Sequence, residues 1–148
     1  MNYERLKELR NYEGYTQQNL ADYLCVERAT YAGWESGKDI TPLRRLHQIA
    51  NQYKISMDYL TGLSDNDNKI KYNTVAELSV SKISDNLKKY RISNQLTQKD
   101  IAKILKTTQS NIHKYETGKS LITTMYALEF AKYFSCSLDE LLCRKKEK

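Results

Sequence analysis

Apolar residues recur along this chain at spacings of three and four, so the pattern reads as helix almost throughout. In the first half, Leu6, Leu9 and Tyr12 make one face; Leu20, Ala21 and Leu24 a second; Tyr31 and Trp34 a third; Leu43, Leu46, Ile49, Ala50 and Tyr53 a fourth. Alternation of strand type is essentially absent. The stops are marked as clearly as the faces. Thr41 before Pro42 reads as an N-cap followed by proline in the first helical position, and Gly37 and Gly118 stand where a helix should end. Ser137-Leu138-Asp139-Glu140 has the spacing of a capping box, as does Thr74-Val75-Ala76-Glu77, after which Ala76, Val80, Ile83, Leu87 and Tyr90 keep helical spacing. The helix beginning the second half is therefore predicted to start early.

The chain is also written twice. Offset by 81 positions and without a gap from Leu6 to Leu60, it superposes 14 identical residues in 55, among them Arg10/Arg91, Thr16/Thr97, Gln17/Gln98, Glu35/Glu116, Gly37/Gly118, Lys38/Lys119 and Asp58/Asp139. That density, with many apolar-for-apolar exchanges between the identities, indicates duplication. Residues 64–81 include the polar tract Ser64 to Lys71 and read as a linker, part of it helical. The predicted organisation is residues 1–63, the linker 64–81, residues 82–143, and a basic tail 144–148, expected to be solvated.

Within each copy one stretch carries the chemistry, Thr16 to Lys38 and its counterpart Thr97 to Lys119. Two short helices joined by a tight turn, with a small Ala at the crossing point, have the proportions of a helix-turn-helix, whose second helix can enter a DNA major groove. The pattern T-Q-x-x-[LI]-A followed by E-x-G-K closely resembles the lambda-repressor/Cro-like (Xre-type) helix-turn-helix family. The resemblance covers nearly all of both copies and implies an all-α protein of two tandem five-helix DNA-binding domains. It further implies that Arg10 with Glu35, and Arg91 with Glu116, are structural ion pairs joining the first helix to the end of the third. Thr97, Gln98 and Gln17 stand at the start of the second helix, where free N–H groups and the helix dipole favour a phosphate. Many domains of this family serve instead in antitoxins or as protein-interaction modules, and that alternative stays open here. The turn where the family usually has Gly holds Cys25 and Lys106, which predicts strain at both.

With the core positions set aside, the two third helices differ. The second copy offers Gln109, Ser110, Asn111, His113 and Lys114, donors and acceptors suited to base edges and phosphates, with Lys119 just beyond. The first offers Arg28, Ala29, Thr30, Ala32 and Gly33, with Lys38 beyond and Glu27 at its entrance. Charge separates the copies too. The chain carries +6 overall, but residues 1–63 hold 8 basic and 8 acidic groups while residues 82–143 hold 10 and 6. The phosphate-binding contribution therefore favours the second copy as the principal reader.

Composition narrows the rest. Three cysteines without C-x-x-C spacing and two histidines predict neither a disulfide framework nor a metal site, with Cys136 expected to be buried and His47 structural. No nucleophile elbow or phosphate-binding glycine loop is present, so no enzyme and no cofactor are expected. The charged start and the lack of a long apolar run predict a cytoplasmic chain without a membrane partner. The expected function is a sequence-specific DNA-binding transcriptional regulator of bacterial or phage type, a repressor acting by operator occupancy on double-stranded DNA. Two arrangements remain open at this point: one chain spanning two half-sites through its linker, or a homodimer paired along Val75, Ala76, Leu78 and Val80. An effector is not legible.

Overall fold

The computed structural model describes residues 1–66 and 73–146, which divide into two compact units, one within Met1–Lys71 and the other within Tyr72–Lys148. Part of the expected linker, 67–72, and the last two residues of the expected tail lie outside the described residues. The first unit contains α1 (Glu4–Tyr12), α2 (Gln17–Tyr23), α3 (Arg28–Ser36), α4 (Leu43–Tyr53) and α5 (Met57–Thr61). The second contains α6 (Val80–Ser93), α7 (Gln98–Leu105), α8 (Gln109–Glu116), α9 (Thr124–Phe134) and α10 (Leu138–Leu141). No strand forms among the described residues, so both units are all-α and five-helical, in tandem.

The helix starts follow from local chemistry. Thr16 and Thr97 close capping boxes: each hydroxyl accepts the N–H three residues on, at 3.0 and 3.1 Å, and each threonine N–H is accepted in return by Asn19 or Asp100 at 2.8 Å. Ser56 and Ser137 cap the last helices of the two units. Pro42 occupies the N-cap of α4, so that helix begins one residue later than the Thr41-Pro42 pair predicts. The turn chemistry is shared as well. Ten described residues have left-handed backbone, and they fall into five pairs 81 positions apart: Gly14/Gln95, Cys25/Lys106, Gly37/Gly118, Lys54/Ser135 and Gly62/Cys143. Six of the ten carry a side chain, each at a cost of about 1 kcal/mol or more against glycine. The duplicated object is thus the set of joints between helices, present even where the joint lacks the glycine that suits it best.

Each unit has its own core. Leu6, Leu20, Leu24, Tyr31, Leu46, Ile49, Met57 and Leu60 are fully or almost fully buried in the first, with Trp34 edge-on to Tyr31 at 6.2 Å. Ile83, Leu87, Ile101, Leu105, Ile112, Leu128, Leu138 and Leu141 fill the second, beside a cluster of Tyr90, Phe130 and Phe134. One expected core residue is misplaced. Tyr12 is 87 % exposed, as the last residue of α1, on the solvent side of the turn whose Arg10 meets Glu35 of α3.

The ends of each unit are stitched together. In the first, the Asn2 N–H donates to the Thr61 carbonyl at 2.9 Å, and the Arg5 guanidinium donates to the Tyr59 carbonyl at 2.6 Å while lying 4.2 Å over the Tyr59 ring. Asn86, the residue 81 positions on from Arg5, reaches the Glu140 carbonyl at 3.0 Å and so does the same work. The second unit adds a clasp. Val75 N–H donates to Arg144 O at 2.7 Å and Lys146 N–H to Asn73 O at 2.8 Å, with Thr74 and Lys145 opposed in an antiparallel bridge.

Three expectations change as a result. Residues 74–77 are held extended or bent by this pairing rather than forming a capping box, and α6 starts at Val80 with Ser79 as its cap, the Ser79 hydroxyl accepting Lys82 N–H at 3.3 Å. It still runs longer than α1 at its N-terminal end, as the apolar spacing indicated. The tail is not simply solvated: Arg144 is fully buried and ion-paired with Asp139. Of the four residues offered as an apolar seam for pairing two chains, Leu78 is buried within the unit, whereas Val75 and Val80 are half-buried and Ala76 is exposed. Among the described residues no helix is long and apolar enough to cross a membrane.

Candidate nucleic-acid interface

The site is built on α2 and α3 in the first unit and on α7 and α8 in the second. In each pair the first helix ends at a left-handed residue, Cys25 or Lys106, with φ of 56° and 55°, which turns the chain sharply enough for the second helix to cross the first. Cys25 and Lys106 are exposed, so the family's usual glycine is replaced without any side chain being forced into the core.

Beneath the interface lies one repeated polar network. The Arg10 Nε donates to Glu35 at 2.5 Å and Arg91 Nε to Glu116 at 2.6 Å, and in both copies the same guanidinium also reaches a backbone carbonyl, Tyr15 or Leu96. The carboxylate takes a further bond from the side-chain amide of the second helix: Gln17 Nε2 to Glu35 at 2.9 Å, Gln98 Nε2 to Glu116 at 2.7 Å. Start of helix two, end of helix three and helix one are thereby locked in a single arrangement. The two glutamines expected at a phosphate are half-buried and anchored inward by one amide hydrogen, which leaves the second hydrogen and the carbonyl oxygen available outward. Thr97 spends its acceptor on its own cap and keeps its hydroxyl hydrogen.

Burial alone would raise the Glu35 carboxyl, but the hydrogen bonds from Arg10 and Gln17 outweigh it and hold the group below the ordinary carboxylate range. The folded carboxyl then binds its proton less tightly than the unfolded one. Its stabilising contribution is complete above the ordinary carboxylate range and is lost as pH falls into and below that range. Trp34, the chain's one tryptophan, is buried in this unit and reports its unfolding. Followed by its fluorescence, the urea midpoint of the first unit is expected to drop more between about pH 7 and about pH 3.5 in the native chain than in Glu35→Gln. Equal drops would remove Glu35 as the cause.

The reading helices present different surfaces. On α8, Gln109, Ser110, His113 and Lys114 are exposed with no side-chain partner among the described residues, and Lys119 is exposed just beyond. Ser110 and Lys114, four apart, share one stripe of the helix with Asn111 beside them. Asn111 is less free than its type suggests, since its Nδ2 donates to Thr107 Oγ1 at 2.8 Å. The Thr108 hydroxyl caps this helix by accepting the Asn111 N–H at 3.2 Å. Ile112 and Tyr115 are buried beneath.

On α3, Arg28, Ala29, Thr30 and Lys38 are exposed, while Ala32 is half-buried and Gly33 is buried. Its N-cap is Glu27, which makes no side-chain capping bond. Gly33 therefore does not belong to an open reading surface. The loop after α3 folds back over it, with Asp39 N–H on the Gly33 carbonyl at 3.1 Å and Asp39 Oδ2 only 2.5 Å from where a Cβ on Gly33 would lie. Sequence periodicity could not find this contact; the one available signal was the exchange of Asp39 for Ser120 between the copies. Elsewhere His47 is buried and Cys136 is only half-buried, contrary to its expected burial. Among the described residues no cluster of three or more His, Cys, Asp or Glu could hold a metal.

Two all-α units, each displaying a short polar helix on a fixed helix–turn–helix pair, define a tandem DNA-binding protein. The Helix-turn-helix family model matches residues 6–60 and again 87–141, and the chain belongs to that family. These two segments are the repeat register read from the sequence. Over 109 residues the chain is 30 % identical to the uncharacterized HTH-type transcriptional regulator YobD of Bacillus subtilis (strain 168), covering 73 % of this chain and 96 % of YobD. It is 39 % identical over 62 residues to the HTH-type transcriptional regulator AnsR of the same organism, covering 42 % of this chain and 53 % of AnsR. Among solved structures, the restriction-modification controller protein C.AhdI from Aeromonas hydrophila aligns with a TM-score of 0.40 and 21 % identity, over 42 % of this chain and 94 % of that one.

Proposed function

We propose that this chain is a sequence-specific, DNA-binding transcriptional regulator whose second unit is its principal reader. The observation that carries this is α8: four exposed donors and acceptors without side-chain partners among the described residues, on a unit whose residues 82–143 hold 10 basic and 6 acidic groups. Lys114, Lys119 and the outward faces of Thr97 and Gln98 set the register on phosphates, while Gln109, Ser110 and His113 reach base edges in the major groove. Arg28, Thr30, Lys38 and Gln17 form a weaker contact in the first unit. Occupancy of an operator is the mechanism, with repression its direct consequence, and no catalytic step is required. Relatives bearing the name of transcriptional regulators support this reading over an antitoxin or a protein-interaction module.

Selection from a random duplex library by the full chain tests it. An enriched motif whose binding weakens steeply with salt is the expected result, since each neutralised phosphate contributes about 0.9 to the logarithmic slope. Absence of enrichment together with a co-purifying protein partner would replace it with the interaction module. The stoichiometry on the enriched duplex distinguishes one chain on two half-sites from a homodimer.

A further inference from the structure

The two units differ most sharply at a single place. Position 33 of α3 corresponds to position 114 of α8, and the loop residues 39 and 120 correspond in turn. In both units the loop backbone folds onto the same carbonyl: Asp39 N–H bonds Gly33 O at 3.1 Å, and Lys119 and Ser120 N–H bond Lys114 O at 3.0 and 3.4 Å. What projects there is opposite in sign. The second unit presents the Lys114 ammonium, exposed and unpartnered among the described residues, with a neutral serine beside it. The first has no side chain on the helix at this position, and the Asp39 carboxylate lies over the bare backbone, 2.5 Å from the position a Cβ would take. That carboxylate makes no ion pair among the described residues, although Lys38 is its chain neighbour. Gly33 lies one helical turn beyond Ala29, so the acid covers the reading stripe itself and not a remote flank.

We propose that Asp39 is a specificity-determining residue which weakens the reading helix of the first unit toward DNA, so that the chain engages a duplex chiefly through the second of its two heads. The inference rests on α8 being the reader, and it adds the cause of the asymmetry. An uncompensated carboxylate at the end of the stripe meets the phosphates flanking the groove, where a negative group opposes the attraction that supplies most non-specific affinity. Its range, about 10 Å at 0.1 M salt, spans the rest of the short stripe. Glu27 at the helix entrance acts in the same sense, but it stands at the N-cap, whereas the backbone bond of Asp39 to Gly33 keeps its side chain rooted beside the reading stripe.

The test is the affinity of the full chain for a random-sequence duplex of about 20 base pairs across a salt series. Asp39→Asn, which keeps the shape, and Asp39→Ser, which reproduces residue 120, are expected to bind about three- to tenfold tighter at low salt, with a logarithmic salt slope steeper by about 1. Glu8→Gln removes an exposed acid from α1 and is expected to leave both quantities where they were. Unchanged affinity and slope in both Asp39 variants overturns the proposal, as does an equal gain in Glu8→Gln, which would reduce the effect to net charge. Lys114→Ala is measured alongside. If it weakens binding while the Asp39 variants do nothing, α8 stands as the reader and this inference falls; if Lys114→Ala is silent and Asp39→Asn gains, Asp39 opposes DNA at α3 but the assignment of α8, and with it the asymmetry between the heads, falls.

Discussion

The full chain with Gln98, Gln109 and Lys114 all replaced by alanine is expected to lose its selected operator, with an affinity at least about a hundredfold below the native value. The base-edge contact of Gln109 is worth about 1–3 kcal/mol, each 1.4 kcal/mol is about tenfold, and the lost phosphate contacts of Gln98 and Lys114 supply the rest of that loss. The three substitutions should divide by mechanism. Gln109→Ala alone is expected to relax preference at one or two base positions while leaving the salt dependence intact. Lys114→Ala is expected to weaken all duplexes alike and to flatten the salt slope by about 1. Gln98→Ala also strips a hydrogen bond from the Glu116 carboxylate, so its effect on binding must be compared with its effect on the unfolding midpoint. Replacing Gln17 and Arg28 together is expected to cost under about tenfold, because the first unit contributes fewer contacts. Fluorescence anisotropy on the selected duplex checks the ranking, and the reverse order would move the reading head to α3.

The largest effect on stability is expected at Arg144. Its guanidinium is fully buried against Asp139, itself 5 % exposed, and its backbone closes the clasp with Val75. Arg144→Ala leaves a buried carboxylate without its cation, a change that costs about 3–5 kcal/mol when one partner of such a pair is removed. The double variant Arg144→Met with Asp139→Leu is expected to recover most of that loss, because it removes both charges and keeps the volume. Far-UV circular dichroism in urea should show the second unit unfolding early in Arg144→Ala, while the fluorescence of Trp34 holds its native midpoint. A loss seen equally by both probes would mean that the units do not unfold separately.

The reading helix and Arg144 mark what could and could not be read from the chain alone. The reading helix was legible because it is a surface feature: polar types left over once Ile112 and Tyr115 are assigned to the core. The duplicated register was legible for a related reason, since joints such as Cys25/Lys106 and Gly37/Gly118 are local and keep their place whatever packs against them. Arg144 was not legible, because a basic run at a chain end looks solvated and nothing local announces that Asp139 faces inward to receive it. Asp39 was hidden likewise, since its meaning lies in a contact with a helix residue that has no side chain. Tyr12 fits the spacing of the α1 face but lies at its end, where periodicity cannot say whether another helix extends far enough to cover it. Pattern thus located what each helix does by itself, and it failed where two distant segments meet.

The stitching of each unit at its own ends has a consequence for how such a chain can grow. With Asn2 bonded to Thr61 in one unit, and Val75 and Asn73 bonded to Arg144 and Lys146 in the other, the strand of protein enters and leaves each unit at one spot. A unit closed in this way is a self-contained cassette. Another copy can be spliced in before or after it without pulling an existing helix out of place, and only a short polar stretch is needed to join them. Once two cassettes exist, a change on one reading helix costs the other nothing, so one copy can drift toward glycine and aspartate while its sibling keeps lysine and glutamine.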